Sequence, residues 1–443
     1  MKKSDLHPSL RAAAVPVPGH SGCYAVVPPD PAFFPIASPL VPLAHREMQV
    51  LADAIAAAPH YAELLIHMLN RREAVDSSQI EGAHTEFDEL LLHEIEAGTP
   101  DAVSDADADL TLNYVHAYAL GVAQVRTKGT AGLNTRLICS LHSELMTGES
   151  RAVPGKLREV QNYIGGLKME NARFIPPPPA EVPRLMAGLD RLLRSESDPE
   201  SHFEFGVLTR APIVHAHFEA IHPFADGNGR VGRILLPLMF LADGDPPIHL
   251  ATFLKLRQRE YYDALLAVQM KLQWSAWIQL FLECAIASCR HTVHLLRELR
   301  IIADQWRERL QDRRIRKDAA VWRVAELLLG QPVVTVNALL QRLKVSFPSA
   351  NAAVAVLVDM DILRVQGAKR RDRAFHAHQV MNILRTGIDA VLEDVSTLHN
   401  YGVGWGRVGS AYDALKADPS RAVTAKQVRA RLALEHQKAR AKK

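Results

Sequence analysis

The chain has 443 residues, 48% hydrophobic and 23% charged, with a formal net charge of +3. These values exclude a disordered chain and give no whole-chain electrostatic case for nucleic acid, so any basic patch must be judged locally. The length predicts two or three domains. Four cysteines without CxxC spacing, and a start that lacks an apolar signal-like run, predict a cytoplasmic chain with reduced thiols. No stretch approaches the roughly 18 uninterrupted apolar residues of a membrane span.

Residues 1–45 are proline-rich ("VPPDPAFFPIASPLVP"), which rules out a long helix and predicts an extended segment draped over the rest. From 46 to 128 apolar residues recur at helical spacing, as in "LADAIAAAPHYAELLIHMLNRREAV" and "LTLNYVHAYALGVAQV", with the acidic loop "EAGTPDAVSDADAD" between them. Residues 129–312 form the next unit. Within it, 149–179 is irregular, with Gly155, Gly165, Gly166 and four consecutive prolines, and "NARFIPP" reads as one arm of a short hairpin. Helices are predicted at 180–195, 203–221, 229–242, 256–270 and about 275–312, and Cys284 and Cys289 in the last are read as core. The basic stretch "QDRRIRKD" marks a boundary. Beyond it, 317–386 shows three helical runs (319–329, 335–343, 348–360) and then "DILRVQGAKRRDRAFHA", a hairpin around a basic turn, which is the winged-helix order. The tail 387–443 is basic at its end. The predicted fold is mainly α, a helical core with a small β-hairpin flap followed by a winged helix-turn-helix domain.

The stretch "HPFADGNGRVGR" (222–233) concentrates the chemistry. Asp226-Gly227-Asn228-Gly229 is a turn sequence before an amphipathic run, and its glycines allow close backbone approach to a ligand. Unpaired amides at a helix start make an anion site. Arg230 and Arg233, three apart, share one helix face near that start, where the dipole disfavours cations, so they call for an anion such as a polyphosphate. Asp226 is suited to hold Mg²⁺ against those phosphates. His222 titrates nearest neutrality and is suited to act as general base. His215 and His217, with His222 nearby, raise a zinc site, which a continuous helical pattern disfavours.

This stretch resembles the Fic-domain signature, His-x-Phe-x-(Asp/Glu)-Gly-Asn-Gly-Arg-x-x-Arg, at every specified position. "HAHFEAIHPF", "GKLREVQNYIGG", "ARFIPPPP" and "REYYDALLAV" extend the resemblance over roughly 45–290, with Tyr163 where Trp is usual. It implies a nucleotidyltransferase that moves AMP from ATP to a Ser, Thr or Tyr hydroxyl of a target protein. It further implies His222 as base, Asp226 as Mg²⁺ ligand, and Gly227, Asn228 and Gly229 as anion hole, with Arg230 and Arg233 on the β- and γ-phosphates. A flap, mapped to Met169–Pro177, would hold a target segment by strand addition. Tyr261 and Tyr262 either border the adenine or pack in the core.

A second stretch, "EAVDSSQIEGAHTEF" (73–87), places Ser77 and Glu81 on one helix face, with Gly82 suited to end the helix. Glu81 at a helix C-terminus opposes the dipole and calls for a cation. These residues resemble the family's inhibitory motif, (Ser/Thr)-x-x-x-Glu-(Gly/Asn), which implies that Glu81 pairs with Arg233 and blocks the γ-phosphate position. The alternatives to transfer are removal of AMP, and a nucleotide-sensing winged-helix transcriptional regulator. The wing, Gln366–Ala374, carries Lys369, Arg370, Arg371 and Arg373 for DNA phosphates, but its recognition helix offers only Ser349 and Asn351 near its start, so protein contact is favoured over DNA. The implied partners are a target protein, the chain itself among the candidates, and a second copy in a homo-oligomer. Nothing calls for a membrane.

Overall fold

The computed structural model describes residues 2–30, 36, 38–96, 105–149, 153–194, 206–366, 373–388 and 391. Proline sets the first elements. Helix α1 (Pro8–Ala13) begins on a proline and leads into an antiparallel hairpin, β1 (Val15–Pro16) and β2 (Tyr24–Ala25). The segment expected to be extended therefore holds a short helix and a hairpin. It does lie over the later irregular stretch, where Val26 N–H donates to the Ile175 carbonyl at 2.9 Å. Helix α2 (Leu40–Ala57) tolerates Pro42 in its first turn, where an amide needs no intrahelical partner. The helical run at 51–75 divides at Pro59, which ends α2 and occupies the first position of α3 (Pro59–Ile80).

After α3 come α4 (Phe87–Glu96), α5 (Ala106–Lys128), α6 (Thr135–Leu145) and α7 (Val182–Leu193). Between α6 and α7 the expected hairpin arm forms a single bridge, Ile164 to Phe174, rather than two strands. Then follow α8 (Val207–Ile221), α9 (Asn228–Ala242), α10 (Ala251–Leu256), α11 (Gln258–Lys271) and the 38-residue α12 (Ser275–Asp312). The helix expected at 256–270 is thus preceded by the separate short α10.

Helices α8 and α9 are buried on nearly every side, the mark of central helices. They pack on each other. Helices α5, α6 and α3 cover α9, while α7, α11, α12 and α2 cover α8. On the outside, α2 lies along α12, and their contact is fixed by the Arg290–Glu47 ion pair at 2.9 Å.

The C-terminal unit runs α13 (Ala320–Leu328), β3 (Val333–Thr335), α14 (Val336–Leu343), α15 (Phe347–Asp359), β4 (Arg364–Gln366), β5 (Ala374–His376) and α16 (His378–Arg385). Its sheet has the order β3-β5-β4, antiparallel throughout, with Val334 and Val365 both paired to Phe375. The three helices and hairpin match expectation, and β3 is added. Three residues are too few for an alternating pattern to register. Lys369, Arg370 and Arg371 of the basic turn, most of the acidic loop and the tail beyond 391 lie outside the described residues.

Leu51 in α2 is 1% exposed. Leu51→Ala should lower unfolding free energy by about 2–5 kcal/mol, the range for buried leucine truncation, as a shift in urea midpoint with unchanged slope.

Candidate active site

The loop between α8 and α9 is built by side chains from four directions. His222 closes α8 in the left-handed region (φ 50°, ψ 62°), an uncommon conformation for a residue with a Cβ. Gly227, at φ 78°, starts α9 with no side-chain cap. Asn228, the first residue of α9, folds back over the loop: its Oδ1 accepts from Phe224 N–H and its Nδ2 donates to the Phe224 carbonyl, both at 2.9 Å. The amide of Asn228 is thus spent on holding the loop. Phe224 is fully buried and its ring stacks on His142 at 3.8 Å between centroids.

His142 also fixes the acidic end of the loop. Gly155 N–H donates to its Nδ1 at 2.9 Å, so Nε2 carries the hydrogen and donates to the Asp226 carbonyl at 3.1 Å. Burial pushes its pKa down to about 4, consistent with a neutral ring. Arg158 holds the histidine end. It is 5% exposed and donates to the carbonyls of His222 (2.8 Å), Pro177 (2.6 Å) and Ile221 (3.4 Å). Sequence reading assigned no role to Arg158 or His142, because their partners are backbone groups distant in sequence.

Helix α3 ends beside this loop with its last carbonyls satisfied. Ala83 N–H donates to Ser78 and Gly82 N–H to Gln79, both at 3.1 Å, with Gly82 at φ 97°: a Schellman termination. The Ile80 carbonyl accepts from Gln258 Nε2 (2.8 Å) and the Tyr262 hydroxyl (3.1 Å). The Ser77 carbonyl accepts from Arg233 Nη2 at 3.0 Å. Arg233 further donates through Nε to Ser77 Oγ (2.8 Å) and through Nη2 to Glu81 Oε1 (2.5 Å). Its side chain is 1% exposed and that of Glu81 37%. Burial opposes the guanidinium charge, but the Glu81 carboxylate outweighs it and Arg233 is shifted upward. Carboxylates secure α3 from behind: Glu73 accepts from Ala251 N–H at 2.9 Å, and Asp76 from Thr252 Oγ1 at 2.6 Å and Lys255 at 3.1 Å.

The structure therefore brings Ser77, Glu81 and Arg233 into one cluster, with His222, Asp226, Gly227, Gly229 and Arg230 beside it. A methyl group on Gly229 would collide with Glu81 Oε1, so the missing side chain is what admits the carboxylate over the first turn of α9. Arg230 is 5% exposed, and its Nε and Nη1 are buried without a hydrogen-bond partner. Its nearest anion is Asp226 Oδ1 at 3.9 Å. Asp226 is 40% exposed and accepts from Gly227 N–H through Oδ1. A single carboxylate at the mouth fits Mg²⁺, which is commonly held by one or two carboxylates together with substrate phosphates.

Tyr261 is 1% exposed and its hydroxyl lies 2.8 Å from His215 Nε2, so of the two readings for this residue the structure supports core packing. Tyr262 caps α3 and stays partly open. His215 uses its other nitrogen on the Gly232 carbonyl at 3.2 Å, leaving none for zinc, and among the described residues no group of three or more His, Cys, Asp or Glu could hold a metal ion.

Comparison with known proteins accords with this geometry. Residues 132–240 match the Fic/DOC family and residues 39–123 the Fic/DOC family N-terminal region. It is 33% identical over 182 residues to a probable protein adenylyltransferase of Aquifex aeolicus, covering 41% of this chain and 51% of that one. With the protein adenylyltransferase Fic of Drosophila melanogaster it shares 30% over 158 residues, 35% of this chain and 27% of that one. The match thus spans about half of the first relative and about a quarter of the second. A Fic family protein from Desulfovibrio desulfuricans superposes with a TM-score of 0.47 at 17% identity, covering 79% of this chain and 98% of that one.

Burial lowers six histidines, His142, His217, His222, His249 and His291 to about 4 and His215 to about 3, and raises Glu73 and Glu219 to about 8. Below pH 6.5 the unfolded histidines bind protons that the folded ones do not, so stability falls on acidification toward pH 4. Between pH 4.5 and 8 the folded glutamates keep protons that the unfolded ones lose, so their contribution falls as pH rises. The histidines outnumber the acids, which places maximal stability near pH 6.5. Urea unfolding across pH should show that maximum, with a decline on the acid side of at least about 1.4 kcal/mol per pH unit, the value for one net proton.

Proposed function

We propose that this chain is a protein adenylyltransferase of the Fic type. It moves AMP from ATP to a Ser, Thr or Tyr hydroxyl of a target protein, or of the chain itself, and releases pyrophosphate. The observation that carries this reading is Arg230. Two unmet guanidinium donors, buried beside the uncapped start of α9, suit phosphate oxygens. Arg233, one turn on, supplies a second guanidinium, presently engaged by Glu81. In the reaction the target oxygen bonds to the α-phosphorus, its proton passes to His222, and the P–O bond to the β-phosphate breaks. His222 is neutral at pH 7, since burial first and Arg158 second hold its pKa near 4. Asp226 would hold Mg²⁺, which supplies charge neutralisation on the phosphates when bound. The names of the relatives agree with this chemistry.

In this reading Glu81 is an inhibitor, competing with the terminal phosphate of ATP for Arg233. We read the order α13-β3-α14-α15-β4-β5 as a winged helix that serves as a protein-contact module. Helix α15 exposes Phe347 (52%) and Val358 (38%) and carries no basic residue for base edges. Four free cysteines, three of them buried, suit a reducing compartment such as the cytoplasm.

Incubation with α- and γ-labelled ATP tests the reading. Label should enter from the α position only. Glu81→Gly should raise incorporation at least tenfold over the unaltered chain, and His222→Ala in that background should abolish it while ATP binding persists. Label from the γ position would mean kinase chemistry, and unchanged labelling in Glu81→Gly would remove the inhibitory role.

A further inference from the structure

Glu81 reaches Arg233 from a peptide bond that is held on both sides. The Ile80 carbonyl is among the last of α3, which no amide within the helix can serve. It accepts two side-chain donors from α11, Gln258 Nε2 at 2.8 Å and the Tyr262 hydroxyl at 3.1 Å. These donors stand four residues apart, on one face of α11. The N–H of the same peptide, that of Glu81, donates to the Ser78 carbonyl at 3.0 Å. A peptide unit is planar, so bonds at its oxygen and at its N–H fix the plane and with it the Cα of Glu81. The residue before is tied as well. Gln79 accepts from Lys255 of α10 through Oε1 and donates through Nε2 to the Thr85 carbonyl at 2.9 Å.

The seat that Glu81 fills is narrow. Its Oε1 stands over Gly229, where a Cβ would collide with it, and lies 2.5 Å from Arg233 Nη2. A shift of the Glu81 backbone by about 1 Å takes that contact beyond the usual hydrogen-bond range. The Glu81 side chain is 37% exposed, so water competes for the carboxylate once the backbone no longer aims it.

We infer that Gln258 and Tyr262 are positioning residues of the inhibitory carboxylate: by clamping the Ile80 carbonyl they aim Glu81 at Arg233, and α11 thereby sets the strength of inhibition. The inference rests on the reading of Glu81 as inhibitor and adds the residues that hold it in place. The clamp governs the fraction of molecules in which Arg233 is free for a phosphate, and the apparent affinity for ATP scales with that fraction.

The test uses the full chain with Gln258→Met, with Tyr262→Phe, with Glu81→Gly, and with Glu81→Gly and Gln258→Met together. Methionine is close to glutamine in length and has no donor; phenylalanine keeps the ring of Tyr262 without its hydroxyl. Two quantities are read: KM and kcat for transfer from α-labelled ATP, and amide hydrogen exchange over residues 77–86 by mass spectrometry. Gln258→Met should lower KM for ATP about two- to tenfold, the span covered by the net contribution of one hydrogen bond, with kcat kept. In the Glu81→Gly background the same change should leave KM within about twofold, because nothing remains to be aimed. Both Gln258→Met and Tyr262→Phe should speed exchange at residues 80–83 several-fold. Equal changes in KM in the two backgrounds would mean a general structural role and overturn the inference, as would unchanged exchange at residues 80–83 in both variants. Exchange does not depend on transfer, so a failure of the inhibitory reading would be seen separately, as Glu81→Gly no more active than the unaltered chain while exchange in the clamp variants still rises.

Discussion

A fully buried guanidinium is the constraint around which this site is arranged. Arg233 donates to the hydroxyl and carbonyl of Ser77 in α3 and to the carboxylate of Glu81 just beyond it. A charge so far from water needs an anion, and removing one partner of a buried pair is typically worth about 3–5 kcal/mol of destabilisation. The pair is lopsided, because Glu81 is more than one-third exposed while Arg233 is sealed. Only the carboxylate can leave without disturbing the core. Whatever replaces it must bring negative charge to the same place, which makes exchange with an anionic ligand the natural way for the site to open.

The surroundings make that exchange local. Glu73 and Asp76 pin α3 against α10, and the helix ends in a turn whose carbonyls are all engaged. The loop opposite is held by Asn228, Arg158 and His142 through backbone groups. Rotation of one glutamate side chain is a smaller event than displacement of a helix, and a scaffold already in place loses little entropy on binding.

Much of this was legible in the sequence. The glycine-flanked turn, the paired arginines and the Ser-x-x-x-Glu-Gly spacing each state a local requirement, and local requirements survive without coordinates. What the sequence hides are roles set by partners far along the chain. Arg158 looks like any basic residue in a loop until four carbonyls are found around it. Asn228 sits in the glycine-flanked turn, and its side-chain amide is engaged by the backbone of Phe224. Tyr261 and Tyr262 are adjacent and alike, yet one is sealed in the core and the other caps a helix. Pro59 divides a periodic run whose apolar spacing continues across it, and β3 is too short for any periodicity.

The backbone at His222 has a consequence for the economy of the whole chain. A side chain in the left-handed region is strained by roughly 1 kcal/mol relative to glycine, which ends helices in this way more readily. Glycine would relax the end of α8 and close the same turn. The chain instead keeps an imidazole there, forfeiting a fraction of its stability at the one position where the ring meets the loop. On the proposed role of His222 as base, the demands of fold stability and of the reaction on residue 222 are opposed.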